Sequence, residues 1–248
     1  AVDWVAARGA TEKGEALSHL WEEVVPTKVE LKDVTYNSFW REYRRRYPEV
    51  PLNLHQVHPP GQRCEADYKG DAHGLGYTDP VSGAYIPCRL FTAILCFSQL
   101  GYVEATHTEQ QTDVFTALGN AYVAFGGVPH TTVVDNAKTG VTKAHRYDPD
   151  LAPEFQRFCE HFGTAPIIAR PRKPTDKPFV ENLHGVFWRW VGPKIRRRTF
   201  RSLGELNIAL REYMAEFNSR LQRKYGTSRR IKYEGGEREQ LLPLPATS

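Results

Sequence analysis

Downstream of residue 62 the apolar pattern changes period, in an order that few folds accommodate. Runs rich in β-branched and aromatic residues come first, at 63–68, 85–97 and 101–107, with a turn around Asp79-Pro80 and Ser82-Gly83 between the first two. Residues 112–125 then carry Val114, Phe115, Leu118, Tyr122 and Phe125 at helical spacing and close on Gly126-Gly127. A short apolar strand at 130–134 ends at Asp135-Asn136. A helix at 153–162 is stopped by Gly163, and a further strand covers 165–169. A long helix beginning between Thr175 and Pro178 carries Val180, Leu183, Phe187 and Trp190. Three strands as a hairpin meander, then helix, strand, helix, strand, helix, predict an α/β fold with a mixed five-stranded sheet flanked by helices.

The flanks read differently. Leu17, Leu20, Trp21 and Val24 predict a short amphipathic helix over 13–25, ended by Pro26. Thr35 offers an N-cap to a second helix, 36–47, with Tyr36, Phe39, Trp40 and Tyr43 on one face and Arg41, Arg44, Arg45 and Arg46 around them. Such a pair resembles the end of a helix-turn-helix module. A proline-rich stretch follows, and Leu203 opens another amphipathic helix over 203–221. The expected organisation is therefore a helical, helix-turn-helix-like DNA-binding segment at 1–48, a linker at 49–61, a core at 62–200, and a C-terminal helix with the start of a following module at 201–248.

Charge is distributed unevenly. The net value of +4 conceals −6 over residues 64–165 and +12 over 166–232. An acidic stretch followed by a strongly basic one suits a protein that handles a polyanion beside a cation-binding carboxylate site. Four scattered cysteines make no disulfide framework. His55, His58 and Cys64 lack a fourth zinc ligand and read as loop residues. The longest apolar stretch, within 86–100, is broken by Arg89, Ser98 and Gln99 and falls short of the ~20 residues of a membrane span. With no signal peptide visible, a reducing, cytoplasmic (bacterial, nucleoid-associated) setting is expected. The chain begins at Ala1, and its single methionine is Met214, which predicts a piece of a longer product.

Three carboxylates stand where chemistry can be built. Asp67 lies in the first strand, Asp135 at the carboxyl end of the fourth, where open sheets place ligands, and Glu181 in the first turns of the last helix. If strands one and four are neighbours, the aspartates lie side by side and the helix brings Glu181 over them. Such an all-oxygen set suits Mg²⁺ or Mn²⁺. Two ions roughly 3.5–4 Å apart activate an attacking oxygen and stabilise a leaving one. No Ser, Cys or Tyr is set beside a base in an evident nucleophile pattern; Tyr68 reads as a packing residue.

The segments Glu65-Ala66-Asp67-Tyr68, Val134-Asp135-Asn136-Ala137-Lys138 and Lys173-Pro174-Thr175-Asp176-Lys177-Pro178-Phe179-Val180-Glu181-Asn182 resemble the three acidic motifs of the DDE transposases with a retroviral-integrase-type catalytic core. More narrowly they resemble the IstA-type transposases of bacterial insertion sequences. The tail from Glu237 to Pro245 is similar to that family as well. Ala-Asp-Tyr departs from the usual Val-Asp-Trp of the first motif, and 45 residues separate Asp135 from Glu181, which fits the transposase branch.

The resemblance implies a ribonuclease-H-like core and two Mg²⁺ ions, with Mn²⁺ as substitute, held by Asp67, Asp135 and Glu181. It implies cleavage of transposon ends followed by joining of the 3′-hydroxyl to target DNA. The implied partners are double-stranded DNA, further copies of the chain in a dimeric or tetrameric synaptic complex, and an AAA+ ATPase helper. Candidate DNA contacts are Lys177, four residues before Glu181, Arg170, Arg172 and Lys173 ahead of the helix, Lys138 after the second motif, the run Arg196, Arg197, Arg198, and Arg44 and Arg45. Two other readings remain open: a metal-dependent nuclease of the same core that does not join strands, and an inactive DNA-binding relative.

Overall fold

The computed structural model describes residues 2–12, 17–24, 35–47, 58–70, 72–135, 153–169, 177–223 and 225–246, in two compact units, 1–56 and 57–248. The first unit holds α1 (Trp4–Glu12), α2 (Leu17–Val24) and α3 (Tyr36–Arg46). Helix α1 was not foreseen, because its apolar residues are mostly alanines; it is earned by stacking of Trp4 on Phe39 at 5.1 Å and a hydroxyl contact between Thr11 and Tyr43. Thr35 caps α3 as expected, accepting from Ser38 N at 3.3 Å.

The second unit contains β1 (Arg63–Lys69), β2 (Gly76–Thr78), β3 (Tyr85–Pro87), β4 (Arg89–Leu95), β5 (Gly101–Thr106), α4 (Gln111–Phe125), β6 (Thr131–Asp135), α5 (Pro153–Phe162), β7 (Ala165–Ala169), α6 (Pro178–Arg196) and α7 (Leu203–Ser219). The main sheet has the order β5-β4-β1-β6-β7; β4 runs antiparallel to both of its neighbours, β1 and β5, and β6 and β7 run parallel to β1. It is the mixed five-stranded sheet of a ribonuclease-H-like fold. One expected strand is divided. Within 85–97, Cys88 donates its N–H to Leu75 O, which bends the chain out of a separate β2–β3 hairpin and into β4.

The sheet is covered on both faces. Cys64, Ala66, Tyr68, Phe91, Ala93 and Leu95 face α4 and α5, where Leu118, Tyr122, Phe125 and Phe155 are buried. Leu90, Ile94, Val103 and Ala105 face α6 and α7, against Val180, Leu183, Phe187, Leu206, Leu210 and Met214. This alternation follows from the period of two along a strand.

Two asparagines of α7 close the free edge of β5. Asn218 accepts from Gly101 N at 3.0 Å and donates to Gly101 O at 2.8 Å; Asn207 does the same for Ala105 at 2.6 and 2.9 Å. Each side-chain amide thus stands in for a neighbouring strand. Asn207→Ala and Asn218→Ala are each expected to lower unfolding free energy by about 1–3 kcal/mol, the cost of stranding a buried donor and acceptor. Denaturant titration checks this; a change below about 0.5 kcal/mol, the size of an ordinary surface substitution, would contradict it.

The fold runs on past residue 200. Besides α7, the tail returns to the sheet: Leu242 bridges Val128, Tyr233 OH bonds Phe125 O, and the buried Glu237 accepts from Gly61 N at 3.3 Å and Ser98 N at 3.1 Å. Residues 201–246, expected as an extension and the start of another module, therefore belong to the compact unit that holds the sheet. Burial pushes the Glu237 carboxyl above its usual range, opposed by the Ser98 and Gly61 donors. Among the described residues, no helix is long and apolar enough to cross a membrane.

Candidate active site

Strand β1 presents Glu65 and Asp67 on the face opposite Cys64, Ala66 and Tyr68. β1 and β6 pair in parallel with Glu65 opposite Val133, so two residues further along, each strand reaches an aspartate, Asp67 in β1 and Asp135 at the last position of β6. The expected adjacency of the two strands is met.

Helix α6 starts on Pro178, whose missing N–H costs nothing in the first turn. Lys177 occupies the N-cap position without a capping side-chain bond. The N–H groups of Phe179 and Val180 are instead taken by Glu65 Oε2, at 2.9 and 3.1 Å. Glu181 follows directly, exposed in the same first turn. Burial raises the Glu65 carboxyl above its ordinary value, opposed by Val180 N–H, Arg63 and Phe179 N–H.

Lys177 stands at the N-cap, just ahead of the helix rather than within it. Its ammonium lies 2.7 Å from Asp67 Oδ2, with side chains 8% and 13% exposed. Asp67 Oδ1 accepts from Tyr68 N at 2.8 Å. Thr92, opposite Asp67 on β4, donates to the Asp67 carbonyl at 3.0 Å and is hydrogen-bonded to His184 Nε2 of α6. Glu65, Lys177 and the Thr92–His184 pair thus dock the start of α6 on β1. Asp67 thus already holds a positive charge through one carboxylate oxygen with no thiolate beside it, a donor chemistry that suits a hard cation; among the described residues, no three His, Cys, Asp or Glu side chains are grouped as a metal site.

Glu65, Thr92 and His184 were missed from sequence. The signal for Glu65 was present: a second acid alternates with Asp67 on a strand whose other face is apolar.

The remaining candidates are dispersed. Lys138, Arg170, Arg172 and Lys173 lie outside the described residues. Arg196, Arg197 and Arg198 are at the far end of α6, fifteen or more residues and so about 22 Å along the axis from Glu181. They do not join the carboxylates. Arg196 donates to His73 O at 3.4 Å and Arg198 to Tyr213 OH at 3.3 Å. In the first unit, Arg44 lies over Trp40 at 4.7 Å and Arg45 forms a two-pronged pair with Glu42 at 2.8 and 2.9 Å.

Of the three residues weighed for zinc, His55 lies outside the described residues, His58 packs edge-on against Phe179, and Cys64 faces the opposite layer. All four cysteines are buried and unbridged; burial pushes Cys88 up to about 11 and Cys159 up to about 12, so neither is a thiolate near neutrality. Tyr68 is buried, receives a hydrogen bond from Thr106 at 3.1 Å and is pushed above its usual range by burial, in keeping with a packing role.

Comparison with known proteins bears on family and fold. Residues 58–174 match the integrase core domain family. A protein named as a transposase, y4uI of Sinorhizobium fredii, is 35% identical over 98% of the chain and 47% of its own length. One named as a transposase for insertion sequence IS408 of Burkholderia multivorans is 34% identical over 96% of the chain and 46% of its own length. The chain thus spans about half the length of the curated relatives it matches. Among solved structures, the simian T-cell lymphotropic virus intasome, in complex with the PP2A regulatory subunit B56 gamma, superposes with a TM-score of 0.53 at 15% identity, covering 98% of this chain and 78% of that one. That likeness concerns the fold alone.

Proposed function

Since this chain belongs to the DDE transposases with an integrase-type core, in the IstA-type branch of bacterial insertion sequences, we propose that it cleaves transposon ends and joins the freed 3′-hydroxyl to target DNA. The single observation that supports this is at β1: it pairs in parallel with β6, Glu65 opposite Val133 and so two residues before an aspartate on each strand, and the turn that bears Glu181 is hydrogen-bonded to the same strand.

Asp67, Asp135 and Glu181 would hold the divalent cations, Mg²⁺ with Mn²⁺ as substitute. Two such ions supply Lewis-acid activation of the attacking oxygen and stabilisation of the leaving oxygen. The chain's own residues do the rest. Asp67 is fixed at its backbone carbonyl by Thr92 and at one oxygen by Tyr68 N–H, so the other oxygen is held ready, with Lys177 as its present counter-ion. With Asp67 engaged in holding a cation, the Lys177 ammonium would be available to take a non-bridging phosphate oxygen as a point charge. In the first reaction water breaks the phosphodiester and leaves a 3′-hydroxyl; in the second that hydroxyl displaces the 3′-oxygen of a target phosphodiester. Neither reaction needs a covalent bond to the protein.

Arg196, Arg197 and Arg198, remote from the carboxylates, suit salt-sensitive contacts to DNA further along the duplex. Double-stranded DNA, a multimer bridging two ends, and an AAA+ helper complete the proposed assembly. The nuclease alternative is separated by offering a pre-cut 3′-hydroxyl end and target DNA with Mg²⁺. Joined product is expected; hydrolysis without joining would overturn the transposase reading.

A further inference from the structure

We propose that Glu65 is the positioning residue of the third carboxylate: a clamp from β1 that holds the first turn of α6, and with it Glu181, at the level of Asp67. The inference rests on the reading of Asp67 and Glu181 as cation ligands.

Glu65 is fully buried, and an ionised carboxylate is kept in such a place only when its oxygens are satisfied. Oε2 takes the N–H groups of Phe179 and Val180, two of the donors that a helix start leaves without intrahelical partners. Oε1 lies 3.3 Å from Arg63 Nη2. The carboxylate therefore caps a helix 114 residues downstream, and its charge complements the positive end of the helix dipole. A helix ordinarily caps itself with Ser, Thr, Asp or Asn. Here the N-cap position carries Lys177, whose side chain is committed to Asp67, and the capping role has moved to the strand.

The consequence is geometric. Glu65 and Asp67 are two residues apart on one face of one strand, so a single rigid element sets both Asp67 and the origin of the helix bearing Glu181. The two contacts differ in fate: Lys177 must leave Asp67 when a cation arrives, whereas the Glu65 contact involves no cation ligand and persists. Without Glu65, Asp67 stays in place, because β1 is paired on both sides by β4 and β6, but the start of α6 loses its anchor and Glu181 departs from the site.

The test is Mn²⁺ binding to the DNA-free protein, followed by electron paramagnetic resonance, together with the Mg²⁺ dependence of strand transfer. Glu65→Met fills the space without an acceptor; Glu65→Gln restores one. Glu65→Met is expected to bind Mn²⁺ roughly 10–100-fold more weakly, the range for groups that orient metal ligands, and to need correspondingly more Mg²⁺. Glu65→Gln should recover to within a few-fold of the parent. Glu65→Asp, one methylene too short to reach both N–H groups, decides the matter if the Met variant does not fold, and should also bind weakly. Parental Mn²⁺ affinity in folded Glu65→Met or Glu65→Asp, or a Gln variant as weak as the Met variant, would overturn the proposal. If the parent itself shows no Mn²⁺ binding that Glu181→Gln weakens, it is the cation-site reading that fails.

Discussion

Glu181→Gln is expected to lower both end cleavage and strand transfer by roughly three orders of magnitude or more, with stability unchanged to within about 0.5 kcal/mol. The first figure follows from the proposed role of Glu181: losing one anionic ligand from cations that would supply several kcal/mol of transition-state stabilisation, where each 1.36 kcal/mol is tenfold in rate. The second follows from exposure: Glu181 projects from the first turn of α6, and an isosteric change at an exposed helix position disturbs no packing. DNA affinity, on the proposed reading carried by basic groups elsewhere, should stay nearly constant. This variant is cleaner than Asp67→Asn, which also removes the partner of the nearly buried Lys177. Timed gel assays of both reactions, beside thermal unfolding and filter binding, give the three readouts. Activity within tenfold of the parent would remove Glu181 from the site.

Lys177→Met should destabilise the cation-free protein by about 3 kcal/mol, because breaking a buried pair from one side leaves an uncompensated charge. At about 2–4 °C per kcal/mol for a unit of this size, the melting temperature falls by roughly 6–12 °C. Most of that loss should return on adding saturating Mg²⁺, since the ion then takes the place of the ammonium at Asp67. In the parent, the same addition displaces Lys177 and gains less. The expected signature is therefore a larger Mg²⁺-induced rise in melting temperature in the variant than in the parent. Equal rises in both would mean that lysine and cation do not share Asp67.

Much of the sheet was legible because its determinants are local. Periodicity located β1, β5, β6, β7 and α4 closely, and the chain order of strands and helices required a mixed sheet in which β1 and β6 could be neighbours. What escaped depends on contacts distant in sequence. The split of 85–97 is decided by one hydrogen bond from Cys88 to Leu75, and no apolar pattern records it. The start of α6 falls at Pro178, inside the expected range, but its cap escaped because it is a glutamate on another strand, while Lys177, the residue before Pro178, has its side chain on Asp67. The tail joins the core through Glu237 and Leu242, whose partners Gly61, Ser98 and Val128 lie more than a hundred residues upstream. The three carboxylates were singled out by their positions on strands and at the helix start and by the motifs around them, and their role remains a proposal. Glu65 escaped because its partners, the Phe179 and Val180 N–H groups, lie more than a hundred residues downstream.

The most direct measurement is anomalous diffraction from crystals grown with Mn²⁺. A peak bounded by carboxylate oxygens of Asp67, Asp135 and Glu181, about 2.0–2.2 Å from each oxygen it touches and with Lys177 turned away from Asp67, is the predicted result. Manganese bound elsewhere while Lys177 remains on Asp67, or a Glu181 carboxylate directed away from the two aspartates, would contradict the account.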